Sequence, residues 1–70
     1  MKKRFEVVSN WDMGIETEER HWLIYDRISK DTSAETYRTK REATVVCKEL
    51  NLAHRVGDEK RISEYEFMNG

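Results

Sequence analysis

The segment TKREATVVCKEL, residues 39–50, decides the fold of this chain because its pattern predicts an α-helix. Thr39 and Glu42 have the spacing of a capping box, in which the threonine hydroxyl accepts a hydrogen bond from the amide three residues later. Apolar residues then recur at intervals of three and four: Ala43, Val46, Cys47 and Leu50. Such a stripe must be buried against another element. The sequence therefore predicts a helix packed on a second layer.

Two of the three strands predicted before the helix show in their apolar and β-branched residues. Residues 4–9 contain Phe5 and Val7 on one side, and their β-branched residues favour a strand. Residues 20–28 form the most apolar stretch of the chain and predict a second strand. Residues 10–19 connect them as a loop that is unusually apolar for its length.

The second predicted strand is apolar on both faces. Trp22 and Ile24 alternate with Leu23 and Tyr25, as expected of a central strand. We expect Trp22 and Ile24 to face the helix, which leaves Leu23 and Tyr25 on the opposite face.

The remaining boundaries follow from turn and capping residues. Residues 29–33 predict a turn, and residues 34–38 a third strand that leads into the helix. We expect the helix to end between Asn51 and His54, with Gly57 as the outer limit.

The pattern of the last segment fits two kinds of secondary structure. Residues 61–68 fit an edge strand, and a short helix using Ile62 and Tyr65 is the alternative. The predicted fold class is α+β, with an antiparallel sheet of three strands packed on one helix in the order β-β-β-α, and a fourth strand if residues 61–68 are extended.

The helix start also resembles a known junction. The segment YRTKREA, residues 37–43, is similar to the strand-to-helix junction of the arm-type DNA-binding domains of phage integrases. The resemblance covers seven residues and implies the β-β-β-α order. This chain departs from those domains because it lacks their basic, aromatic-rich sheet.

Size and charge limit the function classes. Seventy residues predict a single small domain, residues 1–70, with a small core. The formal net charge of −1 is typical neither of a strongly basic nucleic-acid binder nor of an acidic nucleic-acid mimic. No apolar run is long enough to span a membrane, and no signal-peptide pattern follows the basic N-terminus. The expected location is the cytoplasm.

The sequence predicts neither a catalytic site nor a metal or cofactor site. Cys47 and His54 are the only obvious nucleophile and base, and on a continuous helix they would lie about 10.5 Å apart along the axis. One Cys and two His do not supply a zinc site. No Gly-rich phosphate loop is present.

The best-supported prediction is a non-enzymatic protein-interaction module, an accessory or regulatory factor of bacterial or phage type. One helix can cover only one face of a sheet, so an apolar patch would remain on the other, and such patches usually mark association. Its expected partner is another protein or a second copy of the chain. The predicted contact residues are Val8, Leu23 and Tyr25, with Trp11 and Met13 from the loop.

The alternative is a nucleic-acid-binding domain. Arg38, Lys40 and Arg41 lie at the helix start, where backbone amides favour a phosphate. Arg27 and Lys30 in the preceding hairpin would extend this basic cluster. Two features argue against it: the net charge of −1, and residues 12–19 of the predicted loop, which contain four acids (Asp12, Glu16, Glu18 and Glu19) and no base.

Overall fold

A computed structural model describes residues 3–14 and 18–69 of the chain. These residues form β1 (Phe5–Ser9), β2 (Trp22–Asp26), β3 (Asp31–Ser33), α1 (Lys40–Val56), α2 (Glu59–Ser63) and β4 (Phe67–Asn69). The strands make one antiparallel sheet in the order β1-β2-β3-β4. The α+β prediction is confirmed, including a fourth strand. None of the described helices is long and apolar enough to cross a membrane.

The core lies between α1 and one face of the sheet. Ile24 and Leu50 are fully buried there, and Phe5 is 1% exposed. The rings of Phe5 and Phe67, from the two edge strands, lie 5.7 Å apart between centroids. The rest of the cluster comes from β1, both helices and the segments that adjoin the helices: Val7, Tyr37, Val46, Cys47, Ala53, Ile62 and Tyr65.

Helix α1 begins as predicted. Thr39 is the N-cap residue in extended backbone geometry, and its Oγ1 accepts a hydrogen bond from the Glu42 amide at 3.2 Å. The buried residues of α1 follow the predicted spacing: Ala43, Cys47, Leu50 and Ala53. The capping residue and the apolar stripe therefore set both the start and the orientation of the helix.

The favoured end of α1 between Asn51 and His54 is wrong, because the helix continues to Val56. Gly57 ends it with a φ of 78°, which glycine adopts at low cost. The Asp58 amide donates to the Ala53 carbonyl at 2.7 Å, and the Gly57 amide donates to the His54 carbonyl at 3.2 Å. This pair of bonds is a Schellman motif, so the outer limit at Gly57 is the actual stop.

The third strand lies earlier than predicted. β3 occupies residues expected to form a turn, whereas residues 34–38 contribute an isolated bridge between Tyr37 and Trp22. The Ser33 hydroxyl accepts the Ile24 amide hydrogen at 3.0 Å and so replaces the backbone carbonyl of a regular ladder. The ladder is interrupted at this point, and residues 34–36 form an irregular segment before the bridge.

The last segment combines both readings. Ile62 belongs to the short helix α2 and is buried, whereas Phe67 and Met68 belong to the edge strand β4. Asp58 caps α2 by accepting from the Arg61 amide at 3.1 Å. A single strand over residues 61–68 is therefore wrong, because α2 takes its first residues and only its end is extended.

Candidate functional site: the open sheet face and the cationic cleft

The sheet face opposite α1 is not covered by either described helix. The register pairs Val8 with Leu23, Tyr25 with Thr32, and Thr32 with Met68, so these side chains share that face. Both helices contribute instead to the core on the other side, around Phe5 and Ile24. We call the surface formed by Val8, Leu23, Tyr25, Thr32 and Met68 the open sheet face.

Exposure on the open sheet face is uneven. Leu23 is 9% exposed, so it is a buried residue of this face rather than the exposed contact that we expected. Val8 and Tyr25 are partly exposed, and Met68 is 62% exposed. The available apolar surface is therefore centred on Tyr25 and Met68. The sequence did not reveal Met68 because the pairing of residues 61–68 could not be read from their pattern.

Trp11 and Met13 lie elsewhere. The Arg20 guanidinium lies 4.3 Å from the Trp22 ring centroid and 5.4 Å from that of Trp11. Trp22 is on the α1 side of the sheet, with the Lys40 ammonium 5.6 Å from its ring centroid. Trp11 therefore stacks at the end of the molecule where α1 starts. Trp11 is 47% exposed and Met13 is 41% exposed, whereas residues 15–17 of the same predicted loop lie outside the described residues.

The predicted basic cluster is divided between two ends of the molecule. Lys40 lies beside Trp22 at the start of β2, whereas Arg27 follows the last residue of that strand, roughly 16 Å away at about 3.3 Å per residue. Lys30 is in the same turn as Arg27, whereas Arg38 and Arg41 remain with Lys40 at the start of α1. The five residues do not form one surface.

The cations at the start of α1 also have an acidic neighbour. The Asp12 carboxylate accepts a hydrogen bond from the Ser9 amide at 3.0 Å, and hydrogen bonding with the backbone and side chain of Ser9 lowers the pKa of this carboxyl group. The charges of Arg20 and Lys40 contribute in the same direction, which places this carboxylate close to both. The predicted phosphate-binding end therefore has mixed charge.

A cleft of about 780 Å³ lies at the opposite end, between α1 and the strand ends of β1 and β2. We call it the cationic cleft because five of its lining residues are Lys or Arg and none is acidic. Its lining residues are Lys3, Arg4, Arg27, Ile28, Lys48, Asn51, Leu52, His54 and Arg55.

Two of the five cations in the cleft are neutralised. Arg4 forms a two-pronged ion pair with the buried Asp26, with both contacts at 3.0 Å, and Arg27 pairs with Glu6. The other three cations, Lys3, Lys48 and Arg55, form no ion pair within the described part of the chain. The cleft therefore keeps an excess of positive charge.

Two titratable groups lie in or near the cleft: Cys47 is packed in the core, and His54 lies beside charged side chains. Cys47 is buried, and burial raises the pKa of its thiol, so the reactive thiolate is disfavoured. The Nδ1 atom of His54 lies 3.2 Å from Arg4 and 4.0 Å from the Glu59 carboxylate. Among the described residues, no group of three or more His, Cys, Asp or Glu side chains is placed to hold a metal ion.

Comparisons with protein families, curated proteins and solved structures found no match to this chain. The open sheet face follows from alternation within one strand, which the sequence shows. The cationic cleft joins residues far apart in the chain, such as Lys3, Arg27 and Lys48. No local pattern could have revealed it.

Proposed function

We propose that this protein is a small interaction module whose open sheet face receives an amphipathic helix of another protein. The observation that carries the proposal is a sheet with apolar side chains on both faces and its described helices on one. An apolar face of a sheet must be buried against another layer of secondary structure, and the described helices supply that layer on one face only. A partner helix would complete the missing layer.

The dimensions of the open sheet face suit a helix. Four strands about 4.8 Å apart give a width of about 19 Å, which about 13 helical residues span at about 1.5 Å each. Tyr25 and Met68 would form the centre of the contact. Tyrosine is enriched at interface hot spots, and methionine adapts its shape to different apolar partners.

The small size of this face argues against a stable homodimer held by this face alone. With strands of three to five residues, the face covers roughly 250 Å², whereas a standard interface buries about 800 Å² per partner. A contact of this size fits reversible binding. The single buried Cys47 fits a reducing compartment, and we propose that the protein acts in the cytoplasm as an accessory factor of bacterial or phage type.

Site-specific photocrosslinking tests this proposal. A photoreactive phenylalanine analogue would replace Met68, and the control would carry it at Val45, which is 56% exposed on α1. In cells that produce the protein, we expect a discrete adduct with another protein from position 68 and none from position 45. Adding Tyr25→Lys should abolish the adduct, because a charge would have to be desolvated at the contact.

The oligomeric state of the purified protein shows whether the open sheet face binds another protein or a second copy of the chain. Light scattering should give a monomer of 8.4 kDa for the purified protein. A dimer, with an adduct between two copies of the chain from position 68, would make the partner a second copy and overturn the proposed helix. Equal adducts from positions 68 and 45, or none from either position, would remove the open sheet face as a binding surface.

A further inference from the structure

We propose that the cationic cleft is a second binding site, separate from the open sheet face, and that it takes an acidic peptide segment with aliphatic side chains. Its volume of about 780 Å³ lies within the roughly 300 to 1,000 Å³ of typical ligand pockets. The charge, the apolar side chains and the backbone hydrogen bonds along its wall each restrict the class of ligand.

The positive charge of the cleft favours an anionic ligand. Five of the thirteen Lys and Arg residues of the chain line it, although the formal net charge is −1. Within the described residues, three cations of the cleft form no ion pair. Lys3 precedes β1, whereas Lys48 and Arg55 lie on α1 two turns apart. An elongated ligand with several carboxylates could reach all three, and their field would favour its approach.

The apolar side chains of the cleft favour a ligand that carries aliphatic side chains. Ile28 is 64% exposed in the turn after β2, and Leu52 is 58% exposed on α1. Both line the cleft among its cations. A simple inorganic anion would leave both side chains in water, whereas leucine or isoleucine side chains on the ligand would cover them.

A peptide fits these walls better than nucleic acid or a membrane. Proteins hold single-stranded bases mainly by stacking them on Trp, Tyr or Phe side chains. None of these lines the cleft, and its one aromatic ring is the His54 imidazole, whose Nδ1 atom lies 3.2 Å from Arg4. A bilayer surface is broad and nearly flat, so it would not fill a concave cleft. An acidic segment with aliphatic residues matches both the charge and the shape.

The segment would be recognised by its side chains and not by adding a strand to β1. On the outer edge of β1, the Phe5 amide and carbonyl are already bonded to the Asn51 side chain at 2.9 and 3.0 Å. The Ser9 amide is bonded to Asp12, and the Ser9 carbonyl accepts from Met13. A peptide that adds a strand needs a row of unbonded backbone N–H and C=O groups along the edge. The bonds at Phe5 and Ser9 interrupt that row.

Fluorescence anisotropy with the full chain tests this site. The probe is a short fluorescein-labelled peptide that alternates glutamate and leucine. Reference probes are a glutamate and serine peptide, an oligouridine RNA, and vesicles containing anionic lipid. We expect saturable binding of the glutamate and leucine peptide that weakens with salt, with the three references at least roughly tenfold weaker.

Matched charge reversals locate the site. Lys48→Glu with Arg55→Glu should weaken peptide binding by roughly tenfold or more. Arg38→Glu with Arg41→Glu makes the same charge change at the other end of α1 and should leave binding nearly unchanged. Leu52→Ser should weaken the glutamate and leucine peptide but not the glutamate and serine peptide. Circular dichroism checks folding, and Lys48→Gln with Arg55→Gln replaces the first pair if it unfolds.

Three results would overturn the proposal. Equal losses from both charge reversals would show a general charge effect with no site. Tighter binding of the RNA or of the vesicles would assign the cleft to a different ligand. No saturable peptide binding at low salt would leave the cleft without this role. None of these outcomes bears on the open sheet face, which contributes no residue to the cleft.

Discussion

The Asn51 side chain takes the place of a neighbouring strand at the edge of the sheet. Its amide accepts from the Phe5 N–H and donates to the Phe5 carbonyl, as a paired strand would. Exposed strand edges promote aggregation, and a side chain that satisfies the edge is one way to prevent it. Asparagine often ends helices, and for this reason the sequence predicts a helix end at or after Asn51. In the structure the Asn51 side-chain amide is bonded to Phe5 of β1, and the helix continues past it.

Asn51→Ala should therefore destabilise the protein. The loss should be about 1 to 3 kcal/mol, because two partly buried backbone groups lose their partner. Alanine is the better helix former, so the measured loss is a lower limit for the contribution of these bonds. Urea unfolding measures it, with the exposed Leu52→Ala as the control on the same helix. Equal stabilities of the two variants would show that the Asn51 contact contributes nothing.

Asp26 is the second residue with an individual role. It is 3% exposed and pairs with Arg4. Burial alone would raise the pKa of its carboxyl group, but hydrogen bonds from Arg4, the Ile28 amide and Ser29 outweigh burial and hold that pKa below its usual value. The folded state therefore binds this proton less readily than the unfolded state, whose aspartate pKa is about 3.9.

This difference predicts acid sensitivity. The contribution of Asp26 to stability is fully present above about pH 5 and is lost as the pH falls through about 4 towards the lower pKa of the folded state. Asp26→Asn should be less stable at neutral pH and should lose less stability between neutral and acidic pH. Urea unfolding across that range measures both. An unchanged acid dependence in the variant would show that Asp26 is not the responsible group.

At the scale of elements, predictability followed the strength of local signals. The start of α1 was predicted because Thr39 and the apolar stripe agree. β3 was missed because its sequence, Asp-Thr-Ser, is typical of turns, and only pairing with β2 and β4 makes it extended. The end of α1 was misplaced because several residues suit a helix terminus, and the Schellman bonds around Gly57 end the helix there. Tertiary contacts thus override weak local preferences.

The N-cap of α1 gives a prediction at this scale. Thr39→Ala should cost about 1 kcal/mol, because the Glu42 amide loses its acceptor at 3.2 Å. Thr36→Ala is a matched control, since Thr36 is exposed in the irregular segment before the helix. Thermal unfolding of both variants measures the difference. Equal midpoints for the two variants would contradict the role of Thr39 as a cap.

At the scale of the whole molecule, the candidate site was predicted only in part. Alternation in β2 correctly placed Leu23 and Tyr25 opposite α1. It could not show that Leu23 is buried or that Met68 joins the face, since both depend on how distant segments pack. The predicted basic cluster failed for a related reason. Residues that are close in sequence, such as Arg27 and Arg38, lie at opposite ends of the sheet.

The central claim is that the open sheet face is a binding surface and not part of the core. The most direct measurement takes the double variant Tyr25→Lys with Met68→Lys and records its unfolding free energy together with crosslinking from a photoreactive residue at Thr32, on the same face. We expect a folded variant that gives no partner adduct. Its loss of unfolding free energy should be well below about 3 to 5 kcal/mol, the usual cost of truncating a core aromatic side chain. An unfolded variant, or an adduct that persists, would contradict the claim.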